Sequence, residues 1–213
     1  MTRLIAGAAG GRRLRVPPGN GTRPTSDRAR EGLFASLLSE LGRLDGLRVL
    51  DLYAGSGAVG LEALSRGAAS VLLVESDARA AAVVRENIAA VRLRGAIVAA
   101  MSVERLLARP PDDGRYDLVF ADPPYAVVGP AVTAVLGQLG RGWLAEDALV
   151  VVERATRSGP VDWPPAYAAG KSRRYGEATF WYGWYGSGTE AGQAEQPRAA
   201  VPGPSVDAPP PGA

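Results

Sequence analysis

Short apolar runs alternate with helix-like segments along most of this chain. Four longer segments, near 57–66, 77–92, 102–108 and 130–140, have helical spacing. Strands are predicted from the runs between and around them, which are LRVLDLY (47–53), SVLLVE (70–75), AIVAA (96–100), YDLVFA (116–121) and ALVVVE (148–153). Continuous apolar strands separated by helices predict a parallel sheet that is covered on both faces.

The two ends of the chain follow other patterns. Residues 3–16 carry the runs RLIA and RRLRV around GAAGG, which predicts a hairpin with a glycine turn. RPTSD supplies N-cap candidates for a helix from about 27 to 42. Residues 173–185, RRYGEATFWYGWY, predict one or two antiparallel closing strands. After residue 186 the chain is rich in Pro, Gly and Ala, so we expect a disordered tail.

These patterns divide the 213 residues into three parts, an N-terminal hairpin arm (1–24), one α/β domain (25–186) and the tail (187–213). The chain has no cysteine and no histidine, which excludes disulfides, thiolate metal sites, Ser-His-Asp triads and the usual zinc sites. We therefore expect no metal. No window approaches the roughly eighteen apolar residues of a membrane span, and no apolar signal core precedes the first arginines. The expected location is the cytoplasm.

Positive charge is concentrated at the N-terminus. The formal net charge is +2, but residues 1–30 hold seven arginines against Asp27, so the rest of the chain is mildly acidic. Such an arm favours contact with a polyanion. The alternative is a solvated arm in an arginine-rich protein, since Lys171 is the sole lysine. The arginines that we expect to bind nucleic acid are Arg3, Arg12, Arg13, Arg15, Arg23 and Arg28.

A glycine-rich stretch, AGSGAVG (54–60), follows the first strand of the predicted sheet. Its glycines fit G-x-G-x-x-G, and Glu75 lies twenty residues beyond Gly55, as in dinucleotide-binding folds. However, Asp51 precedes Gly55 by four residues. A carboxylate in a strand covered on both faces would have to be desolvated, so the strand should end near Asp51 and place it at the carboxyl edge of the sheet.

The spacing D-x-x-x-G-x-G is typical of sites for S-adenosylmethionine (SAM). In that interpretation the glycines admit the cofactor to the backbone, and the following helix directs its N-terminus at the methionine carboxylate. Glu75 would accept both ribose hydroxyls. The predicted cofactor-binding residues are Asp51, Tyr53, Gly55, Gly57 and Glu75. The alternative is that the glycines serve only tight packing of a strand against a helix.

A second motif, VFADPPY, ends the fourth strand and contains Asp122, Pro123, Pro124 and Tyr125. The two prolines fix φ and remove two N–H donors, so the turn is rigid and presents carbonyl groups. In a sheet ordered 3-2-1-4-5 the first and fourth strands are neighbours, which brings this turn beside the glycine loop. A dehydrogenase has no use for an acceptor-rich turn there, whereas an enzyme that methylates an exocyclic amine does.

Such an amine is a poor nucleophile because its lone pair is delocalised into the base. Asp122 and the Pro123 carbonyl can each accept one N–H hydrogen bond, which draws the nitrogen towards pyramidal geometry. Tyr125 offers a ring face for an extruded base. Catalysis would then rest mainly on proximity and alignment.

Four segments together resemble the RsmD family of bacterial 16S rRNA guanine-N2 methyltransferases. They are RPTSDRAREGLF, VLDLYAGSGAVGLEALSRGAASVLLVE, LVFADPPY and RRYGEATF, and the resemblance covers about residues 3–182. It implies a Rossmann-like class I SAM-dependent methyltransferase with a mostly parallel, seven-stranded, doubly wound sheet of order 3-2-1-4-5-7-6 and an N-terminal basic hairpin and helix extension. It also implies that Thr25 and Arg28 lie near the carboxylate end of the cofactor.

The implied partner is small-subunit ribosomal RNA in an assembled or partly assembled particle, bound by a monomeric enzyme. One position departs from many SAM enzymes, because Met101 stands where an Asp or Asn often meets the adenine; Met101 could pack on the adenine ring. Three alternatives stay open. They are adenine-N6 methylation of DNA or RNA through the same DPPY motif, an NAD oxidoreductase, and an RNA-binding module without catalysis.

Overall fold

A central sheet of seven strands organises the part of the chain that the computed structural model describes, which is residues 2–17, 27–111, 114–124 and 126–186. Its strands are β3 (Arg48–Leu52), β4 (Ser70–Val74), β5 (Ala96–Ala99), β6 (Tyr116–Ala121), β7 (Leu144–Ala155), β8 (Tyr167–Tyr175) and β9 (Ala178–Tyr185). They are ordered β5-β4-β3-β6-β7-β9-β8. Neighbouring strands pair in parallel except at β9, which runs antiparallel to both β7 and β8. When the strands of this sheet are numbered from β3 as strand 1 to β9 as strand 7, the observed order is the predicted order 3-2-1-4-5-7-6.

Five helices flank the sheet in these described ranges: α1 (Asp27–Leu41), α2 (Ala58–Ser65), α3 (Ala78–Val91), α4 (Val103–Leu107) and α5 (Gly129–Leu139). Apolar side chains of α1, α2 and α3 share one core with one face of the sheet. Those of α4 and α5 share another with the opposite face. Helices on both faces explain why the parallel strands are almost continuously apolar.

The predicted elements are confirmed to within a few residues, except that β7 and β8 extend beyond the predicted runs, whereas β9 lies within the predicted stretch 173–185. Strand β7 begins four residues before the apolar run at 148–153 and ends two residues after it. Its extra residues pair at one end with Tyr116 and at the other with β9. Strand β8 begins at Tyr167, before the predicted stretch 173–185. Its first half was not predicted because β8 is an edge strand, and the small and polar residues that an edge strand tolerates give no apolar periodicity.

The N-terminal hairpin, formed by β1 (Thr2–Arg3) and β2 (Arg13–Leu14), packs on α2 and α3. Its anchor is Glu62 of α2, a fully buried carboxylate that accepts hydrogen bonds from the backbone N–H groups of Ile5 (2.6 Å) and Ala6 (3.0 Å). Ser65 at the end of α2 accepts from the N–H of Ala9 at 2.9 Å. The hairpin is therefore part of the folded body over residues 2–17.

Part of the predicted organisation lies outside the described residues, namely the segment 18–26 between the hairpin and α1 and the tail from 187 to 213. Among the described helices, none combines the length and the hydropathy that a membrane crossing requires.

Candidate functional site

The carboxyl ends of β3 and β6 lie side by side, as the pairing of Leu52 with Ala121 shows. A crevice opens at this edge, where the order of the strands reverses, which is where doubly wound sheets bind ligands. One wall comes from the arm and α1, and the other from the ends of β3, β4 and β6. The residues that line it are Val16, Pro17, Arg30, Asp51, Tyr53, Ala54, Gly55, Ser56, Ala58, Val59, Glu75, Ser76, Phe120, Asp122 and Pro124.

The three glycines of the loop between β3 and α2 serve different purposes. Gly55 has φ +56° and open space where a Cβ would stand, so its backbone can be approached closely from the crevice. Gly57 has φ +77° and precedes α2 as its N-cap. A Cβ on Gly60 would lie 2.7 Å from Cγ2 of Val71, so Gly60 allows α2 to pack on β4. Packing thus explains Gly60 but not Gly55.

Asp51 departs from the sequence-based expectation in one respect. It lies near the end of β3, but the strand pairs on both sides through Leu52, and Asp51 is 2% exposed instead of open at the edge. Its Oδ2 accepts a hydrogen bond from the N–H of Gly60 at 2.8 Å. Burial raises the pKa of Asp51 to about 7, and the charge of Glu75 adds to the shift.

Glu75 holds the glycine loop to the end of β4. Its Oε2 accepts from the N–H of Gly55 at 2.9 Å, and its Oε1 accepts from the N–H of Asp77 at 2.8 Å. A carboxylate oxygen has two lone pairs, so each can still accept a hydroxyl proton. Glu75 therefore fixes the position of the loop and keeps acceptor capacity for a bound ligand.

Tyr53 has an unusual backbone conformation for a bulky residue, with φ +61°. Its side chain packs against the core under α4 and α5, and its buried hydroxyl has no hydrogen-bond partner among the described residues. Burial raises the pKa of Tyr53 to about 12, with a smaller contribution from Glu104. Strain and an unpartnered polar atom in one crevice residue are typical of a functional site.

Asp122 follows β6 directly and lines the crevice. No donor among the described residues reaches its carboxylate. Burial, and then the charges of Glu153 and Asp51, raise the pKa of Asp122 well above its usual range. Pro123 is buried, whereas Pro124 is exposed and lines the crevice. The turn thus presents an acid whose pKa is raised and to which no described residue donates a hydrogen bond.

The remaining predicted residues are not all brought to this crevice. Met101 lines a second groove with Tyr116, Trp143 and Arg109. Its place at the adenine stays a prediction. Tyr125 lies outside the described residues, as do Arg23 and Thr25.

The arginines of the arm differ in how they are used. Arg12 donates to the carbonyls of Ala90 (3.0 Å) and Val91 (2.7 Å) at the end of α3, and Arg15 donates to the Glu86 carboxylate at 2.7 Å. Arg3, Arg13 and Arg28 are exposed. Their assignment to nucleic acid stays a prediction.

Sequence reasoning missed two charged residues near the crevice. Arg30 of α1 is buried, lines the crevice and donates to Thr2, the Arg3 carbonyl and Asp27. Its helical spacing with Leu33, Phe34 and Leu37 was the available signal, because position 30 shares their buried face. Glu153 ends the apolar run of β7 just as Asp51, Glu75 and Asp122 end theirs, and it is also buried.

Comparisons with known proteins agree over most of the chain. The family model "Conserved hypothetical protein 95" matches residues 2–184. The Ribosomal RNA small subunit methyltransferase D of Escherichia coli K12 is 38% identical over 165 residues, which cover 76% of this chain and 80% of that protein. The protein of the same name from Haemophilus influenzae Rd is 36% identical over 153 residues, covering 71% and 77%.

A solved structure agrees as well. The putative methyltransferase yhhF of Escherichia coli superimposes with a TM-score of 0.75 at 32% identity, covering 86% of this chain and 97% of its own. The fold is therefore the Rossmann-like one of class I SAM-dependent methyltransferases, and SAM is the methyl donor. Among the described residues, no group of three or more His, Cys, Asp or Glu side chains is placed to hold a metal ion.

Proposed function

We propose that this chain, which belongs to the RsmD family of methyltransferases, transfers a methyl group from SAM to the exocyclic N2 of a guanine in small-subunit (16S) ribosomal RNA. The observation that carries the proposal is the juxtaposition of the Asp122-Pro123-Pro124 turn with the glycine loop on the adjacent strand. One crevice thus holds both a cofactor loop and a rigid set of acceptors for an amine.

The residues present fit SAM. The open space at Gly55 admits a ligand to the loop, the buried hydroxyl of Tyr53 has no partner among the described residues, and Glu75 retains lone pairs for ribose hydroxyls. When bound, SAM supplies an electrophilic methyl group on a sulfonium. The acidic side chains around the crevice suit that positive charge. Asp51 contributes by holding α2 to β3, which sets the direction of the loop.

On the substrate side, Asp122 and the Pro123 carbonyl accept the two N–H groups of the amine and orient its lone pair towards the methyl group. The methylated nitrogen then loses a proton. An acid whose pKa is raised is a stronger proton acceptor when ionised, so the burial of Asp122 and the charges of Glu153 and Asp51 suit it to take that proton. Tyr125 would stack on the extruded guanine.

We further propose that the substrate is an assembled or partly assembled small subunit and that the enzyme acts on it as a monomer in the cytoplasm, where that RNA is found. The exposed arginines of the arm, Arg3, Arg13 and Arg28, would contact RNA phosphates beside the crevice. Arg12 and Arg15 already serve the attachment of the arm to α3, which makes them weaker candidates.

The test is incubation with labelled SAM and unmodified small subunits, followed by mass spectrometry of the nucleosides. The expected product is N2-methylguanosine, with none formed by the Asp122→Ala variant. N6-methyladenosine would instead support the alternative amino-methyltransferase, which uses the same turn. If a SAM-binding enzyme forms no methylated nucleoside on subunits or on naked RNA, the proposal is wrong.

A further inference from the structure

Strand β7 is the neighbour of β6 on the side away from β3. It continues three residues past Val152, the partner of Ala121 at the end of β6. At about 3.3 Å per residue, β7 extends about 10 Å beyond the end of β6. Strands β8 and β9 accompany this extension, since Ala155 pairs with Ala178 and Ala178 pairs with Tyr175. The result is a raised edge beside Asp122.

Four arginines lie on this raised edge, and we call them the rim arginines: Arg154, Arg157, Arg173 and Arg174. Arg157, Arg173 and Arg174 are exposed, and Arg154 is half-buried. Arg154 and Arg174 both pair with Thr179 in the sheet register, and Arg173 pairs with Phe180, the partner of Glu153. Because successive residues of a strand face opposite sides of the sheet, Arg173 lies on the face of Phe180 and Glu153, whereas Arg154 and Arg174 lie on the other face. Basic side chains therefore lie on both faces of the raised edge.

The raised edge is held mainly by side chains other than the rim arginines. The N–H of Thr156 donates to the Glu177 carbonyl at 2.7 Å, and the hydroxyls of Thr156 and Thr179 lie 3.0 Å apart. Phe180 and Tyr182 are buried in the core, and the ring of Tyr175 fills the space at Gly32 of α1. Since aromatic and hydroxyl side chains secure the edge, its stability does not explain the arginines.

The other basic residue of β8 offers a contrast. Lys171 forms an ion pair with Glu40 of α1 at 2.5 Å and thereby joins β8 to the body. Arg174 donates from its Nε to the Gly176 carbonyl at 2.9 Å and forms no ion pair with a described residue. Glu153 and Glu177, the acids of this region, are outnumbered by the four arginines.

We propose that the rim arginines bind the phosphates of the RNA strand next to the target guanine, on the side of the crevice opposite to the hairpin. This rests on the proposed function. Asp122 follows β6 and Arg173 lies on β8, which is three strands away in the sheet. At about 4.8 Å per strand, the distance across the sheet between them is about 14 Å. Flanking phosphates of a nucleotide extruded into the crevice fall within that reach. The substrate would thus be held on both sides of the reacting base.

The test compares the double variant Arg173→Ala/Arg174→Ala with the matched control Arg43→Ala/Arg141→Ala. The control removes the same charge from exposed arginines at the amino edge of the sheet, just before β3 and just before β7. Binding to unmodified small subunits and to protein-free 16S rRNA is measured at several salt concentrations, and SAM binding by calorimetry. Arg173→Gln/Arg174→Gln replaces the first variant if thermal melting shows that the alanine variant is unfolded.

We expect the rim variant to bind both RNA substrates at least fivefold more weakly than the control does. Its slope of log K against log salt should fall by about 1.4 to 1.8, for two lost phosphate contacts, while SAM affinity stays that of the wild type. Equal behaviour of rim variant and control overturns the proposal. Weaker binding to subunits with an unchanged salt slope also overturns it, because the rim then contacts protein. Absence of N2-methylguanosine with the wild type would refute the proposed function instead.

Discussion

Carboxylates lie at the carboxyl ends of β3, β4 and β6, but the glycine loop and the DPPY turn use them differently. At the glycine loop, Asp51 and Glu75 accept hydrogen bonds from the backbone N–H groups of Gly60, Gly55 and Asp77. At the DPPY turn, the Asp122 carboxylate meets no donor among the described residues. The same functional group thus holds a loop in one region, whereas in the other its oxygens meet no donor from the part of the chain that the structure describes.

The difference follows from what each loop supplies. The glycine loop is rich in N–H groups that need acceptors, because α2 begins there and its first N–H groups have no partner within the helix. The prolines of the turn remove N–H donors, and no other described residue donates a hydrogen bond to the Asp122 carboxylate. Because a buried carboxylate without hydrogen-bond donors is costly, we expect a ligand to supply the donors that Asp122 lacks among the described residues.

The largest expected effect is that of Asp122→Ala, which should lower methyl transfer at least about 10²-fold, the usual scale for loss of a group that accepts a proton. SAM affinity should stay within a few fold, because the loop acids are untouched. Asp122→Asn should keep some activity, since an amide oxygen still accepts one N–H bond.

The thermal stability of an Asp122 variant serves as the control for this loss of activity. Asp122→Asn should raise the melting temperature at pH 8, because it removes repulsion from Glu153 and Asp51. Near-wild-type turnover in Asp122→Ala would show that the turn does not hold the amine, and the contrast between the two regions would fail.

Glu75→Ala should have the next largest effect and weaken SAM binding at least tenfold. The loss of a charge-assisted acceptor is worth about 1.5–3 kcal/mol, and the N–H of Gly55 also loses its partner. Calorimetry measures the affinity, with Glu146→Ala as the control because Glu146 is an exposed acid on β7. Unchanged affinity would mean that the end of β4 does not contact the cofactor.

Asp51→Asn should change the pH dependence of stability. The pKa of Asp51 is raised from 3.8 to about 7 in the folded protein, so the folded state binds more protons than the unfolded state between these values. Its contribution to stability is therefore present at low pH and is lost as the pH rises from about 4 to about 7. Asn keeps the acceptor for Gly60 but cannot titrate.

Urea unfolding across this pH range measures the effect. The decline of the free energy of unfolding with pH should be shallower in the variant by up to about 1.4 kcal/mol per pH unit. Parallel profiles for the variant and the wild type would show that Asp51 is not buried as described.

The smallest effect is expected from Arg13→Ala, which touches neither set of carboxylates. The exposed guanidinium should account for one phosphate contact, so the salt slope of RNA binding should fall by about 0.7 to 0.9 while SAM affinity is unchanged. Arg12→Ala should instead lower the melting temperature, because Arg12 bonds the end of α3. An unchanged slope in Arg13→Ala would remove it from the RNA contacts.

Much of the fold and part of the site could be predicted from local patterns. Apolar runs gave the strands, and the acids after them marked one edge of the sheet, because parallel strands share the direction of their carboxyl ends. Asp51, Gly55 and Gly57 are close together in the chain. Their spacing can therefore be recognised in the sequence without knowledge of the tertiary contacts. Helical spacing also located α1, although the buried charge of Arg30 on its inner face was overlooked.

What the sequence by itself determined is thus the order of elements and the identity of the residues at the switch point. The tertiary structure alone decided their roles. It paired Glu75 with Gly55, buried Asp51 against Gly60, and set Glu153 beside Asp122. These relations join segments that are far apart in the chain, and they depend on strand register and helix packing. Neither periodicity nor composition records such distances, because burial and electrostatic coupling arise only when the strands are in place.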